Sequence, residues 1–228
     1  MTSDVHTLTS IGVIMDGNRR WAAAHHKPSV EGHRAGYKKF TELLQWANEA
    51  GVKNVVVYAL STENLNRSKE EVAYLLDLFR DVVREQIKKI GEEEVRVLCV
   101  GVKEKLPDDL VALMDELEEK TATYTERTLV IAAPYGGHAE LVDAVNTAVS
   151  LGEKVNEDRF ADLLWTGAVP NLDLLIRTGG EKRISNFLPW QSAYAELFFV
   201  DTLWPDFSEE DFRAIVSEYG TRQRRFGK

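Results

Sequence analysis

The chain has 228 residues, of which 44% are hydrophobic and 29% are charged. This composition is ordinary for a soluble globular protein and predicts a single domain over residues 1–228, which excludes collagen-like, low-complexity and disordered classes. Acidic residues outnumber basic ones, 37 to 28, and this balance argues against a nucleic acid as the partner.

The first half of the chain predicts alternating strands and helices. The apolar run at 11–15 predicts a strand that ends at turn residues, and helical spacing predicts a helix at 34–50 before Gly51. A short β-branched run predicts a buried strand at 55–60. Ser68 and Glu71 have the spacing of a capping box for a long helix whose apolar stripe runs from Val72 to Ile90.

The second half repeats this alternation. Strands are predicted at 95–100, 128–133, 172–176 and 197–200, and helices at 108–123, 138–150, 157–165 and 209–219. The predicted fold is therefore α/β: a single domain with a mainly parallel central sheet flanked by helices. We expect the first ten residues to be flexible, and residues 220–228 to form a C-terminal tail.

Polar motifs follow four of the predicted strands, where ligands bind in such sheets. They are DGN at 16–18, STEN at 61–64, PYGG at 134–137 and RTGGE at 177–181. Their positions predict that small, polar and basic residues from several strand ends surround one pocket.

Neither targeting nor disulfide chemistry is indicated. Cys99 is the single cysteine, which excludes an internal disulfide framework. No apolar run approaches the roughly 18 residues of a membrane span, and the N-terminus lacks a signal-peptide profile. We therefore expect a cytoplasmic protein.

The first motif and the two residues after it carry a carboxylate, a glycine and the guanidiniums of Arg19 and Arg20. Asp16 could hold Mg²⁺, a hard cation that prefers oxygen ligands and bridges to phosphates. Gly17 would let an anion approach the amides of the next helix. A turn in which Asp16 only caps that helix is an equally good interpretation of the motif alone.

The loop after the fifth strand is more specific. Arg177, Arg183 and Ser185, with two glycines between them, supply the donors that bind a diphosphate. Neither the Walker nor the Rossmann glycine pattern is present. A surface loop with ion pairs remains the alternative. Glu196 lies in an apolar run, where a metal or an arginine could pair it or where it could simply face solvent.

Nucleophilic catalysis is not indicated, because no serine lies in a GxSxG elbow. His33 is better explained as a hydrogen-bonding residue at a helix start than as a general base. The residues favour electrophilic chemistry in which arginines and Mg²⁺ stabilise a bound diphosphate.

Long motifs in fixed order resemble the cis-prenyltransferases, in particular the bacterial undecaprenyl diphosphate synthases. They are IMDGNRRWA, GHRAG, YALSTENLNR, PYGG, LLIRTGGEKRISNFLPWQSAYAELFF, LWPDF and RQRRFG, and the resemblance spans roughly 11–227. The resemblance implies a homodimeric enzyme that adds isopentenyl diphosphate to an allylic diphosphate, such as farnesyl or geranyl diphosphate, in Z geometry. It also implies an apolar tunnel for the prenyl chain, and peripheral membrane association through the product.

The resemblance also implies roles for individual residues. Asp16 and Asn64 would be catalytic, Asn64 in proton removal, and Asp16 and Glu196 would bind Mg²⁺. The allylic diphosphate would be held by Gly17, Asn18, Arg19 and Arg20, and isopentenyl diphosphate by Arg177, Arg183 and Ser185. Further substrate-binding positions are Trp21, His33, Ser61, Glu63, Arg67 and Arg225, the last in the tail that reaches the partner subunit's site.

The sequence departs from the family pattern at four positions. Ser29 stands where long-chain enzymes usually carry an arginine for the allylic diphosphate, and Leu65 replaces a tryptophan. Pro134 and His138 replace the common Asn and Arg around YGG. Ala59 lies at a position that is associated with passage of the growing prenyl chain. Because its side chain is small, it favours longer products.

These departures leave alternatives to a long-chain synthase. They are a short-chain Z-prenyl diphosphate synthase, a non-catalytic subunit of a cis-prenyltransferase complex, and an enzyme of irregular prenyl condensation. Retention of Asp16, Arg20, Arg177, Arg183 and Glu196 argues against the non-catalytic subunit. The intact RTGGE and STEN segments argue against irregular condensation.

Overall fold

The structure is a computed structural model that describes residues 7–88, 90 and 94–222. Its six strands form one sheet in the order β3-β4-β2-β1-β5-β6, and every neighbouring pair is parallel. The strands are β1 Ser10–Ile14, β2 Asn54–Tyr58, β3 Arg96–Val100, β4 Thr128–Ala132, β5 Leu174–Arg177 and β6 Glu196–Phe199. The predicted α/β fold with a parallel sheet is confirmed.

Helices occupy the connections between these strands. They are α1 Asn18–Ala24, α2 Ser29–Glu49, α3 Lys69–Lys88, α4 Asp108–Thr121, α5 Gly137–Leu151, α6 Glu157–Asp162 and α7 Glu209–Thr221. Short 3-10 helices lie at Thr62–Asn66, Lys103–Lys105 and Trp204–Asp206. Each predicted helix is present, and α2 begins five residues earlier than its apolar spacing indicated.

Both faces of the sheet are buried, as the continuous apolar strands predicted. Alternate strand residues such as Val55 and Val57 pack on one face with side chains of α2, α3, α4 and α7. Their neighbour Val56 packs on the other face, against Phe187 and Leu188. Strands buried on both sides have no polar alternation, which explains their pattern.

The start of the fold lies earlier than expected. Residues 7–10 belong to the segment expected to be flexible, but Leu8 is buried in the core and Ser10 begins β1. The Thr9 hydroxyl donates a hydrogen bond of 2.8 Å to Asp173. Within the described residues, no helix is long and apolar enough to cross a membrane.

Candidate active site

The turn after β1 places a carboxylate beside the first turn of α1. Gly17 has a φ of 118°, in the left-handed region that favours glycine, and a Cβ there would lie 3.0 Å from the Leu203 backbone. Among the described residues, no side chain caps the first N–H groups of α1. These donors therefore remain available to a ligand beside Asp16.

Asp16 is held between two arginines from different parts of the chain. Its Oδ2 lies 2.9 Å from Arg177 Nη2 and its Oδ1 lies 3.1 Å from Arg20 Nη2. The Arg20 guanidinium also donates to the Gly179 carbonyl oxygen at 2.6 Å. A Cβ at Gly179 would lie 2.5 Å from Arg20 Nη2, so the RTGG glycine leaves room for this arginine.

Arg177 is the buried centre of the site. Its side chain is 5% exposed, and its Nη1 donates to both the Arg183 carbonyl oxygen and Ser185 Oγ, each at 2.6 Å. Its Nε is buried with no hydrogen-bond partner among the described residues. A buried guanidinium is stable only when it is paired, so Arg177 fixes Asp16 and the Arg183–Ser185 loop relative to each other.

A cavity of about 530 Å³ opens beside Asp16. Its lining includes three of the predicted arginine positions, the first turn of α1 and the variant position Ser29: Asp16, Gly17, Asn18, Arg19, Arg20, Ala23, Ser29, His33 and Arg67. The lining is therefore rich in cationic groups and backbone N–H donors, which suits an anionic ligand.

Glu71 is a residue that sequence reasoning assigned only to a helix cap. Ser68 Oγ accepts the Glu71 N–H at 3.3 Å, as the capping box predicted. The Glu71 carboxylate instead lies 3.0 Å from Arg67, 3.8 Å from Arg19 and 4.0 Å from His33. The Glu71 carboxylate therefore positions the cationic side chains of the cavity. The SxxE spacing in the sequence could not reveal this second role.

His33 lies at the inner end of the charged cavity. Burial and, to a lesser degree, the charge of Arg67 lower its pKa from 6.5 to about 4, so the ring is neutral near pH 7. His33 Nε2 is buried with no hydrogen-bond partner among the described residues. A ring whose pKa is lowered this far is a weak base, which argues against His33 as a general base.

An apolar cavity shares the lining residue His33 with the charged cavity. Its volume is about 100 Å³, and its lining includes His33, Tyr37, Phe40, Ala59 and Leu75. His33 thus borders both cavities. An anionic head with an apolar tail is the kind of ligand that this pair of cavities fits.

The turn after β2 is locked by its own side chains. Ser61 Oγ accepts the Asn64 N–H and Asn64 Oδ1 accepts the Ser61 N–H, both at 3.2 Å. Burial raises the pKa of Glu63, but hydrogen bonds from its backbone N–H and from neighbouring side chains outweigh burial and lower it. Glu63 is therefore ionised near pH 7.

Some predicted residues lie apart from this cluster. Glu196 begins β6 and pairs with Leu174, three residues before Arg177, so it lies about 10 Å down the strand from the Asp16 edge. Its carboxylate accepts a hydrogen bond of 2.7 Å from Arg222. Trp21 donates instead to Asp206 at 2.6 Å and stacks on His25. Arg225 lies outside the described residues.

PYGG was predicted to border the pocket, but its residues are buried. A Cβ at Gly136 would lie 2.9 Å from Thr62 Oγ1, and one at Gly137 would lie 2.1 Å from Pro189 Cδ. These glycines let neighbouring loops pack closely, so they are packing positions rather than ligand contacts.

Comparisons with known proteins agree with this geometry. Residues 14–227 match the family model described as "Putative undecaprenyl diphosphate synthase". An isoprenyl transferase of Thermotoga maritima is 43% identical over 95% of both chains. A tritrans,polycis-undecaprenyl-diphosphate synthase (geranylgeranyl-diphosphate specific) of Pyrococcus horikoshii is 45% identical over 96% of this chain and 86% of that one.

A solved structure has the same fold. It is lavandulyl diphosphate synthase from Lavandula x intermedia in complex with dimethylallyl diphosphate. The TM-score is 0.91 at 30% sequence identity, and the match covers 97% of this chain and 99% of that one.

Proposed function

This chain belongs to the undecaprenyl diphosphate synthase family of prenyltransferases, and on that premise we propose that it makes a long Z-polyprenyl diphosphate. It would condense isopentenyl diphosphate units with an allylic diphosphate and release pyrophosphate. The main support for this proposal is that His33 borders both a cationic cavity and an apolar one.

The cationic cavity would hold the allylic diphosphate. Arg19, Arg20 and the first N–H groups of α1 would bind its phosphate oxygens, and the prenyl tail would enter the apolar cavity. Allylic ionisation places negative charge on the departing diphosphate, which donors fixed in advance stabilise without reorganisation. The contacts of Arg20 with Asp16 and Gly179 provide that fixed position.

Isopentenyl diphosphate would bind on the other side of Asp16. Arg177, Arg183 and Ser185 are joined by hydrogen bonds, and they would grip its diphosphate. The Ser61–Asn64 turn would face the condensing carbons, with Asn64 assisting proton removal. Its reciprocal hydrogen bonds hold this turn in one conformation.

Asp16 fits a magnesium ion that arrives with the substrate. Within the described part of the chain, no three His, Cys, Asp or Glu side chains come together as a ready metal site. Mg²⁺ commonly takes one or two carboxylates and completes its shell with phosphate oxygens and waters. When bound, it would neutralise charge on the diphosphate. Glu196 would be a ligand only in a site that a second chain completes.

The proposed assembly is a homodimer. Val142, Val145 and Val149 form an exposed apolar stripe on α5. Two further exposed apolar side chains are Tyr194, just before edge strand β6, and Leu197, within that strand. Such apolar surface is typical of an interface. The tail that carries Arg225 would reach the partner subunit's site, and the expected location remains the cytoplasm, with membrane contact through the product.

A short-chain Z-prenyl diphosphate synthase is the second candidate. The apolar cavity of about 100 Å³ favours it, as does Leu65 in place of tryptophan. A non-catalytic subunit is disfavoured, because Asp16, Arg20 and Arg177 are linked in a complete network.

The experiment that tests the proposal is the Asp16→Ala variant in single-turnover assays with Mg²⁺, farnesyl diphosphate and isopentenyl diphosphate. We expect substrate binding to persist and the condensation rate to fall by about 10²-fold or more, since leaving-group stabilisation is worth several kcal/mol. Asp109→Ala is the matched control, because it removes a surface aspartate paired with Arg80. A rate close to that of the unaltered enzyme in Asp16→Ala would contradict the proposed mechanism.

A further inference from the structure

Asn186 joins two strand-end segments through both its backbone and its side chain. Its carbonyl oxygen accepts the Gly137 N–H at 2.8 Å, and its Oδ1 accepts the His138 N–H at 2.8 Å. It thereby caps the start of α5 from the loop that follows Ser185. Its φ of 64° is left-handed, a conformation that asparagine tolerates better than most residues.

The same side chain reaches a third segment. The Asn186 amide approaches the Glu63 carboxylate and, with Ser61 and Thr62, lowers the pKa of Glu63. A Cβ at Gly136 would lie 3.0 Å from Asn186 Nδ2, which places the amide between the PYGG turn and the turn after β2. Asn186 Oδ1 therefore bonds the start of α5, and Asn186 Nδ2 faces the turn after β2.

The surrounding contacts keep these segments close. The Tyr58 ring stacks on Phe187 with 4.7 Å between ring centroids. The Thr62 N–H donates to the Tyr135 carbonyl oxygen at 2.9 Å. The Asn186 amide lies between these segments, and it joins the Ser185 loop to the turn that carries Glu63.

We propose that Asn186 is a positioning residue, which holds the Ser61–Asn64 turn, the start of α5 and the Arg183–Ser185 loop in one arrangement. The inference rests on the proposed function, in which Arg183 and Ser185 bind isopentenyl diphosphate and the Ser61–Asn64 turn faces its reacting carbons. Asn186 keeps the two sides of that site at a fixed separation.

Two variants separate the role of the Asn186 backbone from that of its side-chain amide. Asn186→Gly keeps the left-handed φ and removes both amide atoms. Asn186→Asp keeps an oxygen for the His138 N–H but sets a second carboxylate against Glu63. We expect each to raise the KM for isopentenyl diphosphate by about tenfold, the loss of one good hydrogen bond, and to leave the KM for farnesyl diphosphate within about twofold. Asn156→Gly is the matched control, because Asn156 caps α6 through the Arg159 N–H and should leave both constants unchanged.

A double-mutant cycle that combines Asn186→Asp with Glu63→Gln tests the contact itself. In the Glu63→Gln background, the new side-chain amide can donate to the carboxylate that Asn186→Asp introduces. Adding Asn186→Asp to that background should therefore change the KM for isopentenyl diphosphate by less than about twofold. An equal penalty in both backgrounds would mean that Asn186 only caps α5, and it would overturn the inference. So would an unchanged KM in Asn186→Gly.

The same cycle measured by urea unfolding does not depend on turnover. Coupling between positions 63 and 186 in the free energy of unfolding, in a protein that incorporates no isopentenyl diphosphate, would retain the contact and reject the proposed function. Absence of coupling in an active enzyme would reject the positioning role and leave the proposed function standing.

Discussion

At the scale of single residues, the site depends on how one buried guanidinium is satisfied. Arg177 contacts Asp16, Arg183 and Ser185 at once. A lysine could not reproduce this planar fork of donors. The buried Nε without a partner among the described residues leaves one donor of Arg177 for a ligand.

Ser29 gives a prediction specific to this chain. It is the first residue of α2, it is exposed, and it lines the cavity beside Asp16 and Arg20. Ser29→Arg should lower the KM for the allylic diphosphate by about tenfold, since a charge-assisted hydrogen bond is worth about 1.5 kcal/mol. Ser29→Gln, long but uncharged, is the control in steady-state kinetics. Equal KM values in the two variants would show that the diphosphate does not approach position 29.

His33 gives a prediction about stability and pH. The folded chain binds the proton only near pH 4, whereas the unfolded chain binds it from about pH 6.5. The free energy of unfolding should therefore fall as pH drops from 6.5 towards 4, by about 3 kcal/mol for this residue. This loss is absent above pH 6.5 and complete below pH 4.

His33→Gln should remove that part of the pH dependence. Urea unfolding of both proteins between pH 7 and 4.5 measures it. Because other groups titrate equally in the two proteins, their curves should diverge as pH falls. Parallel curves would mean that His33 is protonated as readily in the folded chain as in the unfolded one.

The sequence predicted the residues whose type and strand-end position already indicate chemistry. Asp16, Arg20, Arg177 and Ser185 meet because parallel strands end at one edge of the sheet. Glu71 and Asn186 escaped prediction because their partners lie on other elements, and spacing along the chain does not encode such contacts. Glu196 follows a recognisable motif, but within one chain it lies at the opposite edge of the sheet from Asp16.

At the scale of elements, the helices α2 and α3 enclose the apolar cavity. The Tyr37 hydroxyl donates to Glu85 at 2.5 Å, and the Tyr74 hydroxyl donates to the Val30 carbonyl oxygen at 3.0 Å, so both join α3 to α2. A cavity of about 100 Å³ is too small for a long prenyl chain. We therefore expect α3 to move away from α2 as the product grows.

Ala59 tests whether this cavity is the path of the chain. It lines the cavity just after β2, and Ala59→Leu would fill part of the space. We expect shorter products and a condensation rate for the first unit within about threefold of the unaltered enzyme, since the volume is lost beyond the diphosphate head. Chromatographic sizing of labelled products measures this. Ala122→Leu, exposed after α4, is the control, and identical product lengths in both variants would exclude this cavity as the path.

The elements themselves were the most predictable part of the fold. Strands buried on both faces are continuous apolar runs, and each was located to within a few residues. The role of PYGG was less predictable, because its glycines look the same whether they approach a ligand or a neighbouring loop. The positions of Thr62 and Pro189 show that these glycines approach neighbouring loops.

At the scale of the whole molecule, the described part of the chain ends at Arg222, which lies near the start of β6. Arg222 is held by Glu196 at the start of β6, and its guanidinium lies 3.9 Å over the Phe198 ring. Arg225 follows three residues later, a reach of about 10 Å. We propose that the tail completes a site on a second chain, as the family resemblance implies.

Hybrid dimers test that arrangement. Asp16→Ala and Arg225→Ala are each expected to be inactive as homodimers. Mixing and refolding the two variants together should restore about a quarter of the activity at equal amounts, because half of the dimers are hybrids, each with one complete site. If the tail served its own chain, no hybrid would contain a complete site and the mixture would stay inactive.

Product sizing tests directly whether this chain elongates an allylic diphosphate into a long Z-prenyl product. The purified protein is incubated with Mg²⁺, labelled isopentenyl diphosphate and, in parallel, dimethylallyl, geranyl, farnesyl and geranylgeranyl diphosphates. A long-chain synthase should give a ladder of products that ends near eleven isoprene units and disappears when a chelator removes Mg²⁺. A single product of a few units would identify a short-chain synthase, and no incorporation from any starter would contradict the account.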